Sequence, residues 1–507
     1  MTELIYKHLF LRATLLVMLA GCAAEAPNTT DHLQEKPRVV VTTDPELDDF
    51  NSLLRYLLYS TDFQTEGLIY ASSQFHWKGD GTGKTWKVEG REYTRFGLDI
   101  CPCTSWRWAE DDRFIHEAVE TYAEVYDNLI VHNPDYPAPS ELLAKIKIGN
   151  IEFDGDISKD TPGSDLIKSL LLDNDDTPLY LLAWGGQSTI GRALKSIQEQ
   201  YAEADNWDAI QLSVSEKAII QAYGDQDDVY ATYIQPNWPD IEFREMANST
   251  YGYGARGSVL PEDLHILSAA WTATNVSSQG PMGARYRVWG DGVQMVKDDI
   301  FDYFGLDGYT DEELRAMGYI VWMPVQEKGS WISEGDTPTF MNLINNGLRG
   351  YEDASYGGWG GRNSEDVGPN GSDQEYTRAR FFGAAQHDFA SRLKWSVTSV
   401  FEDANHEPVV NLTGPHTITA KPGDTITLQA SVSDPDGDTV ATRWWQYIEA
   451  DSYTGEVSIE STDALTATVQ IPTDAVPGCN IHLILEATDD GMPALTRYQR
   501  VVVTVAL

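Results

Sequence analysis

The feature that most constrains this chain is an alternation of short apolar runs with amphipathic stretches between Arg38 and about residue 245. Val39-Val40-Val41 reads as a strand and Phe50 to Tyr59 has helical spacing. Gly67 to Ala71 reads as a strand and Glu110 to Val131 as a helix. Leu179 to Ala183 (strand), Ile190 to Tyr201 (helix) and Ala218 to Tyr223 (strand) continue the series. Strands that are apolar throughout are buried on both faces, and the helices between them supply the cover. The expectation is an α/β fold with a mostly parallel sheet flanked by helices. Ligands of such sheets sit beyond the carboxyl ends of the strands, so polar clusters directly after strands are the first place to look for chemistry.

The pattern changes near residue 405, which divides an expected α/β domain (37–405) from a second domain (406–507). From Pro408 onward the chain shows short alternating segments such as Thr425 to Gln429, Thr466 to Gln470 and Val501 to Val505. Turn signals including Lys421-Pro422-Gly423-Asp424 separate them. This is the signature of an Ig-like β-sandwich. Its turn residues Asp434, Asp436 and Asp438 offer hard oxygens for calcium or form an ordinary solvated hairpin turn; both readings are open. Trp444-Trp445-Gln446-Tyr447 reads either as rings offered to a sugar or as packing within the sandwich, and a spacer role suits the second domain.

The first residues carry an address. Lys7 and Arg12 precede the apolar run Ala13 to Ala20, which is too short to cross a bilayer and reads as the core of a signal peptide over residues 1–21. It ends in Leu19-Ala20-Gly21-Cys22, which resembles the lipobox of bacterial lipoproteins and implies lipidation at Cys22. Residues 22–36 lack periodicity and read as a flexible tether. The expected location is therefore extracytoplasmic, membrane-anchored in the periplasm or at the cell surface. Cys101, Cys103 and Cys479 remain. The Cys-Pro-Cys spacing is awkward for a disulfide, and buried or partly oxidised thiols are expected.

Charge narrows the partners. With 36 Lys+Arg against 78 Asp+Glu the net charge is −42. Nucleic acid and anionic membrane surfaces would be repelled, which leaves the lipid anchor as the one expected membrane contact. Fifteen Trp, 25 Tyr and 15 Phe argue against disorder and suit the handling of neutral carbohydrate. The acidity has similar density in both parts of the chain, so it describes the surface and names no site.

Position is more telling than total charge. Thr42-Thr43-Asp44-Pro45-Glu46-Leu47-Asp48-Asp49 follows the first strand immediately. Asp44, Asp48 and Asp49 at one strand end repel one another unless a cation or proton compensates. A turn here converges them on a hard cation such as Ca²⁺, or Asp48 or Asp49 caps the next helix.

Strand, Asp-Pro-x-x-Asp-Asp, helix resembles the nucleoside hydrolase signature Asp-x-Asp-Pro-Gly-x-Asp-Asp, with Thr42 in place of its first Asp and Glu46 in place of its Gly. The wider stretches TTDPELDDFNSLLRYLLYS and EGLIYASSQFHWKGDG are similar to a divergent, nucleoside hydrolase-like branch known as cellulose-binding proteins in polysaccharide-degrading bacteria. Its members carry a C-terminal Ig-like domain. The resemblance implies a bound Ca²⁺ that grips a sugar diol, with Asp44 and Asp49 among its ligands. It also implies a backbone carbonyl ligand at Trp184, in Leu181 to Thr189, and a distal Asp that opens a helix. Asp336, in Glu334-Gly335-Asp336-Thr337-Pro338, is preferred for that place over Asp388, which lies inside a helical run from Tyr376 to Val400. Glu334 is then an extra acid.

Further candidates come from the residues themselves. Asp225 and Asp227 follow the strand ending near Tyr223 and either contact sugar hydroxyls or cap a helix. Trp359, flanked by glycines and near Arg362, and Trp77 are candidate stacking platforms for a pyranose. His76 is a candidate acid or a structural histidine. The combined expectation is a calcium-dependent hydrolase of glycosyl bonds in which Asp44 activates water and Asp48 holds sugar hydroxyls. The alternative is a non-catalytic carbohydrate-binding lipoprotein on a degenerate hydrolase fold, motivated by Thr42 and Glu46.

Overall fold

The computed structural model describes residues 36–246, 248–362 and 378–507. The expected signal peptide, Cys22, the tether up to Glu35 and the start of the helical run at Tyr376 lie outside these residues. Six strands form the first sheet: β1 (Arg38–Thr43), β2 (Gln64–Tyr70), β3 (Ile146–Ile148), β4 (Leu179–Ala183), β5 (Ala218–Ala222) and β6 (Glu242–Glu245). Their order is β3-β2-β1-β4-β5-β6 and every neighbouring pair is parallel. The chain thus winds outward from β1 to β3, then returns to lay β4 on the other side of β1. A crevice opens at such a reversal.

The unbroken valines of β1 are explained by burial on both faces. Val39 and Val41 pack with Leu53 and Leu57 of α1 (Leu47–Leu58) and Val119 and Tyr122 of α2 (Phe114–His132). Val40, pointing the other way, packs with Ile167 of α3 (Pro162–Leu171) and Ile190 and Leu194 of α4 (Ser188–Tyr201). Successive side chains alternate across a strand, so each valine serves a different layer.

The last hundred residues form two four-stranded sheets. One has the order β10-β13-β14-β8, from Ala441–Gln446, Asn480–Thr488, Thr496–Val505 and Thr417–Ala420. The other is β11-β12-β9-β7, from Ser458–Glu460, Thr466–Gln470, Thr425–Ser433 and Val409–Leu412. All neighbours are antiparallel except β14 and β8. Trp444, Leu428, Val469, Leu483 and Val501 fill the space between the sheets.

This sandwich is not held off as a spacer. Tyr447, Ile484 and Tyr498 belong to the same buried cluster as Phe340, Trp359 and Phe381 of the α/β part. The Phe381 ring lies 5.8 Å from Tyr447 and 5.4 Å from Tyr498, edge to face in both pairs. Each fully buried side chain of this kind contributes roughly 1.5–3 kcal/mol. Trp444 and Tyr447 are therefore packing residues.

Two local expectations are corrected. The helix that Asp336 is expected to open is a single turn, Pro338–Met341, because the chain leaves it to bury Leu343 and Ile344 in the core. Cys101 and Cys103 form a disulfide, with their Cα atoms 4.5 Å apart, at the lower end of the usual span.

Candidate functional site

The crevice between β1 and β4 is floored by carboxylates. Asp49 closes the turn after β1: its Oδ1 accepts hydrogen bonds from the Thr43 hydroxyl (2.6 Å) and the Asp44 N–H (3.1 Å). Asp48 and Asp49 sit in the first turn of α1, where the helix dipole favours negative charge. Asp48 accepts from the Ser333 hydroxyl at 3.0 Å. The segment after Ser333 brings in Asp336, which is buried and acts electrostatically on Asp49.

Glycines let these pieces meet. A Cβ on Gly185, just after β4, would lie 2.8 Å from Asp44 Oδ2, and one on Gly335 would lie 2.5 Å from Asp48 Oδ2. Real Cβ atoms do not approach so closely, so both positions require glycine for the floor to form as it does.

Asp44 is fully buried, and neither of its carboxylate oxygens has a well-formed hydrogen bond. Burial pushes it up to about 7; the Ser73 hydroxyl opposes that shift and the Asp48 charge adds to it. Asp49 and Asp336 are raised well above the usual carboxylate range, by burial first and then by the neighbouring acids. Ligand atoms of Glu46, Asp48 and Asp49 lie within 4.8 Å of one another, as do those of Asp44, Glu46 and His76. Two like charges at that separation repel by roughly 3–4 kcal/mol at an effective dielectric of about 20. Arg107, whose charge is felt at Asp44 and Glu46, is already paired with Glu92 and Asp299, and Arg55 is paired with Glu334. Protons or a cation must compensate the rest.

His76 faces the same floor. Its Nδ1 lies 2.7 Å from the Arg107 carbonyl, which can only accept, so Nδ1 carries the proton. Nε2 is left with a lone pair, buried and unpartnered, 3.8 Å from Glu46 Oε2. Burial and the Arg107 charge hold its pKa well below the usual value, so His76 stays neutral, with Nε2 placed to accept a hydrogen bond. Arg107 itself adopts φ 46°, a left-handed conformation uncommon for a side chain of this size and of the kind found at functional sites.

Above the floor is a cavity of about 290 Å³. Its walls include Phe75, Phe96, Tyr223, Tyr253, Phe301 and Trp322, with Glu46, Asp48, Asp49, His76 and Asp336 at the polar end. Asp44 lies just beneath that lining. Sequence reasoning missed the aromatic wall. The one signal, for Phe301 and Trp322 alone, was the aromatic-rich stretch from Trp289 to Trp322, which has little regular structure and converges on the site only in space.

Several expected site residues lie elsewhere. Trp77 is fully buried among Trp86, Tyr93 and Phe153, its backbone bridged to Trp106. Trp359 is buried beneath the Arg497 guanidinium, in the core shared with the sandwich. Arg362 donates from Nε to the Ser355 carbonyl at 2.6 Å. Glu334 forms a doubly hydrogen-bonded ion pair with Arg55, both residues fully buried. Asp225 accepts the N–H groups of Tyr230 and Ala231, and Asp227 accepts those of Ser188 and Val229, so both cap backbone. None of these six lines the cavity. Asp388 pairs with Arg392 and Arg497. The Trp184 carbonyl accepts from Gln226 Nε2 at 2.7 Å, which occupies one of its two lone pairs.

A parallel sheet in the order 3-2-1-4-5-6, with buried carboxylates and an aromatic-walled cavity at its reversal, makes this a doubly wound α/β protein with its candidate site where such sheets bind ligands. Residues 38–363 match the family model described as cellulose-binding Sde182, nucleoside hydrolase-like domain, and residues 425–505 match that of cellulose-binding protein Sde0182, C-terminal domain. The chain belongs to this family. A solved structure, a nucleoside hydrolase-related hypothetical protein from Saccharophagus degradans associated with carbohydrate metabolism, is similar at 25% identity and a TM-score of 0.67. The likeness covers 93% of this chain and 100% of the other. No curated protein matches.

Proposed function

We propose that the protein is a calcium-dependent hydrolase of glycosyl bonds that acts on carbohydrate outside the cytoplasm, anchored to the membrane through a lipid on Cys22. The observation that carries this reading is the floor itself: Asp44, Asp48, Asp49 and Asp336 are buried together and, among the described residues, none forms an ion pair, although the Arg107 charge is felt at Asp44. The unpartnered oxygens of Asp44 and the all-oxygen donor set fit Ca²⁺. Asp44, Asp49, Asp336 and the Trp184 carbonyl would hold it. Bound there, the ion would neutralise the cluster and supply a Lewis acid toward vicinal sugar hydroxyls.

The remaining chemistry belongs to the chain. Asp44 takes the proton of an attacking water. Asp48 receives sugar hydroxyls on its exposed side, and the ionised floor stabilises positive charge developing at the anomeric carbon. His76 Nε2 accepts a further hydrogen bond, while Tyr253 and Trp322 present faces and edges to the ring.

A second reading, a carbohydrate-binding protein without turnover, draws on Thr42. Its hydroxyl donates to the Leu182 carbonyl at 3.3 Å inside the sheet, so this position adds no carboxylate to the floor. One experiment separates the two. Purified wild type and Asp44→Asn are incubated with calcium and a panel of oligosaccharides and nucleosides, and released sugar and equilibrium binding are both measured. Turnover lost in the variant supports the hydrolase. Binding retained in both, with no release by either, supports the binder.

A further inference from the structure

The set of residues assigned to calcium leaves two side chains of the same crevice without a place around the ion. His76 and Glu46 face each other there, with Nε2 and Oε2 3.8 Å apart. Asp44 completes a set with them: one ligand atom from each of the three lies within 4.8 Å of the other two. The backbone fixes each member. Asp44 follows β1 directly, and Glu46 is the residue that precedes the first turn of α1. His76 lies in a turn after β2, where its carbonyl accepts the Ser73 N–H at 2.9 Å.

Two of the three are buried with nothing to bind. The His76 side chain is 1% exposed and its Nε2 has no hydrogen-bond partner. Asp44 is fully buried, and both of its carboxylate oxygens lack a well-formed hydrogen bond. An unmet buried acceptor costs about 1–3 kcal/mol. The ring is also held as a metal ligand is held. Its Nδ1–H is spent on the Arg107 carbonyl at 2.7 Å, which leaves the Nε2 lone pair on the side of Glu46. A ligating histidine almost always donates its other N–H to a carbonyl or carboxylate in this way. Arg107 is pinned in turn by Glu92 (2.9 Å) and Asp299 (2.8 Å), so the carbonyl that sets the ring is itself secured.

We propose that Asp44, Glu46 and His76 bind a divalent transition ion, Zn²⁺ by the chemistry of the set, distinct from the calcium of the floor. Imidazole nitrogen suits Zn²⁺ and its neighbours in the first transition row, whereas Ca²⁺ and Mg²⁺ take oxygen. Ligands about 2.1 Å from a tetrahedral Zn²⁺ stand about 3.4 Å apart, a little less than the 3.8 Å between His76 Nε2 and Glu46 Oε2. Glu46 and His76 line the cavity, so the fourth position opens onto it, the pattern of a zinc centre that exchanges its fourth ligand. Asp44 has two unpartnered oxygens, one for each ion. Binding does not depend on the hydrolase reading. One consequence does: the ion takes the oxygen of Asp44 that would receive the proton of water, so zinc should slow hydrolysis.

The test uses the full chain stripped with chelator and free of calcium. Zn²⁺ binding is measured by calorimetry, and Co²⁺, a coloured substitute, by its visible absorption. His76→Gln removes the nitrogen ligand and should weaken the Zn²⁺ site by about a hundredfold or more, since loss of even an outer partner of a ligand costs about 10–100-fold. The absorption of bound Co²⁺ should change with it. Wild type that binds no Zn²⁺, or His76→Gln with unaltered Zn²⁺ affinity and Co²⁺ absorption, overturns the proposal. If His76→Gln does not fold, Glu46→Gln, on a side chain 20% exposed, should weaken the site by about tenfold or more; unaltered affinity overturns the proposal equally. Ca²⁺ that displaces Zn²⁺ at equal concentration overturns the choice of ion. Zn²⁺ binding, sensitive to His76→Gln, in a protein that takes up no Ca²⁺ supports this site and overturns the calcium reading, so the two fail separately.

Discussion

Gly335 lies against the Asp48 carboxylate so closely that a methyl group on its Cα would be 2.5 Å from Oδ2. The neighbour that must yield is the end of a side chain, so the fold can absorb the insult while the site cannot. Gly335→Ala should cost only about 1 kcal/mol of stability. Asp48 would be pushed off Ser333, and carbohydrate binding should weaken by about tenfold or more, measured by calorimetry. Wild-type affinity in a folded Gly335→Ala protein would remove Asp48 from the binding site.

Asp44 gives the pH dependence. In the folded chain it keeps its proton to about pH 7, whereas an unfolded Asp releases it near pH 4. Across that window the folded state holds the extra proton, so this residue's contribution to stability falls as pH rises. Asp44→Asn removes the fall. With calcium chelated, urea titrations should show the variant more stable than wild type by on the order of 4 kcal/mol at pH 8, with the difference nearly gone at pH 4. A gap that widens toward acid would contradict the assignment. The same substitution should abolish any turnover.

The aromatic wall and the buried tryptophans should part company. Trp322 is 38% exposed at the cavity and stacks edge-on against Tyr253 (centroids 4.6 Å apart), so Trp322→Ala should lower carbohydrate affinity by about tenfold and leave the melting curve nearly intact. Trp77→Ala should do the reverse, costing about 3–5 kcal/mol of stability by leaving a void among Trp86, Tyr93 and Phe153. If Trp77→Ala folds normally and loses binding, the position of the sugar has been misread.

Arg55 and Glu334 supply a charge pair whose removal separates stability from function. Both are fully buried, with two contacts of 2.6 Å. Glu334→Gln leaves a buried guanidinium without its counter-charge and should destabilise by about 3–5 kcal/mol in denaturant unfolding. Affinity per folded molecule should not change, because Glu334 does not line the cavity. A selective loss of affinity would restore Glu334 to the site.

Much of the frame was legible. β4 spans Leu179–Ala183 as its apolar run indicates, because a five-residue strand buried on both faces has no polar residue to blur its ends. The motif after β1 was legible for the same reason: Asp44, Asp48 and Asp49 are local to one turn, so their convergence is written in adjacent residues. Asp336 arrives from far along the chain, and only the resemblance picked it out. Trp359 and Trp77 misled because a large ring serves a core as well as it serves a sugar. Asp225 and Asp227 follow a strand, as ligands would, but their oxygens satisfy backbone N–H groups of Val229, Tyr230 and Ala231 just downstream and of Ser188 at the start of the helix after β4. Tyr253, Phe301 and Trp322 were illegible because irregular loops carry no period from which their direction can be read.

The packing of Phe381 against Tyr447 and Tyr498 bears on inheritance as much as on stability. A shuffled gene that moved the last hundred codons to another protein would deliver a module with a raw apolar face. The ancestral host would be left with a matching wound. Selection therefore acts on the two halves as a single heritable unit, and substitutions along the seam should be answered in pairs across it.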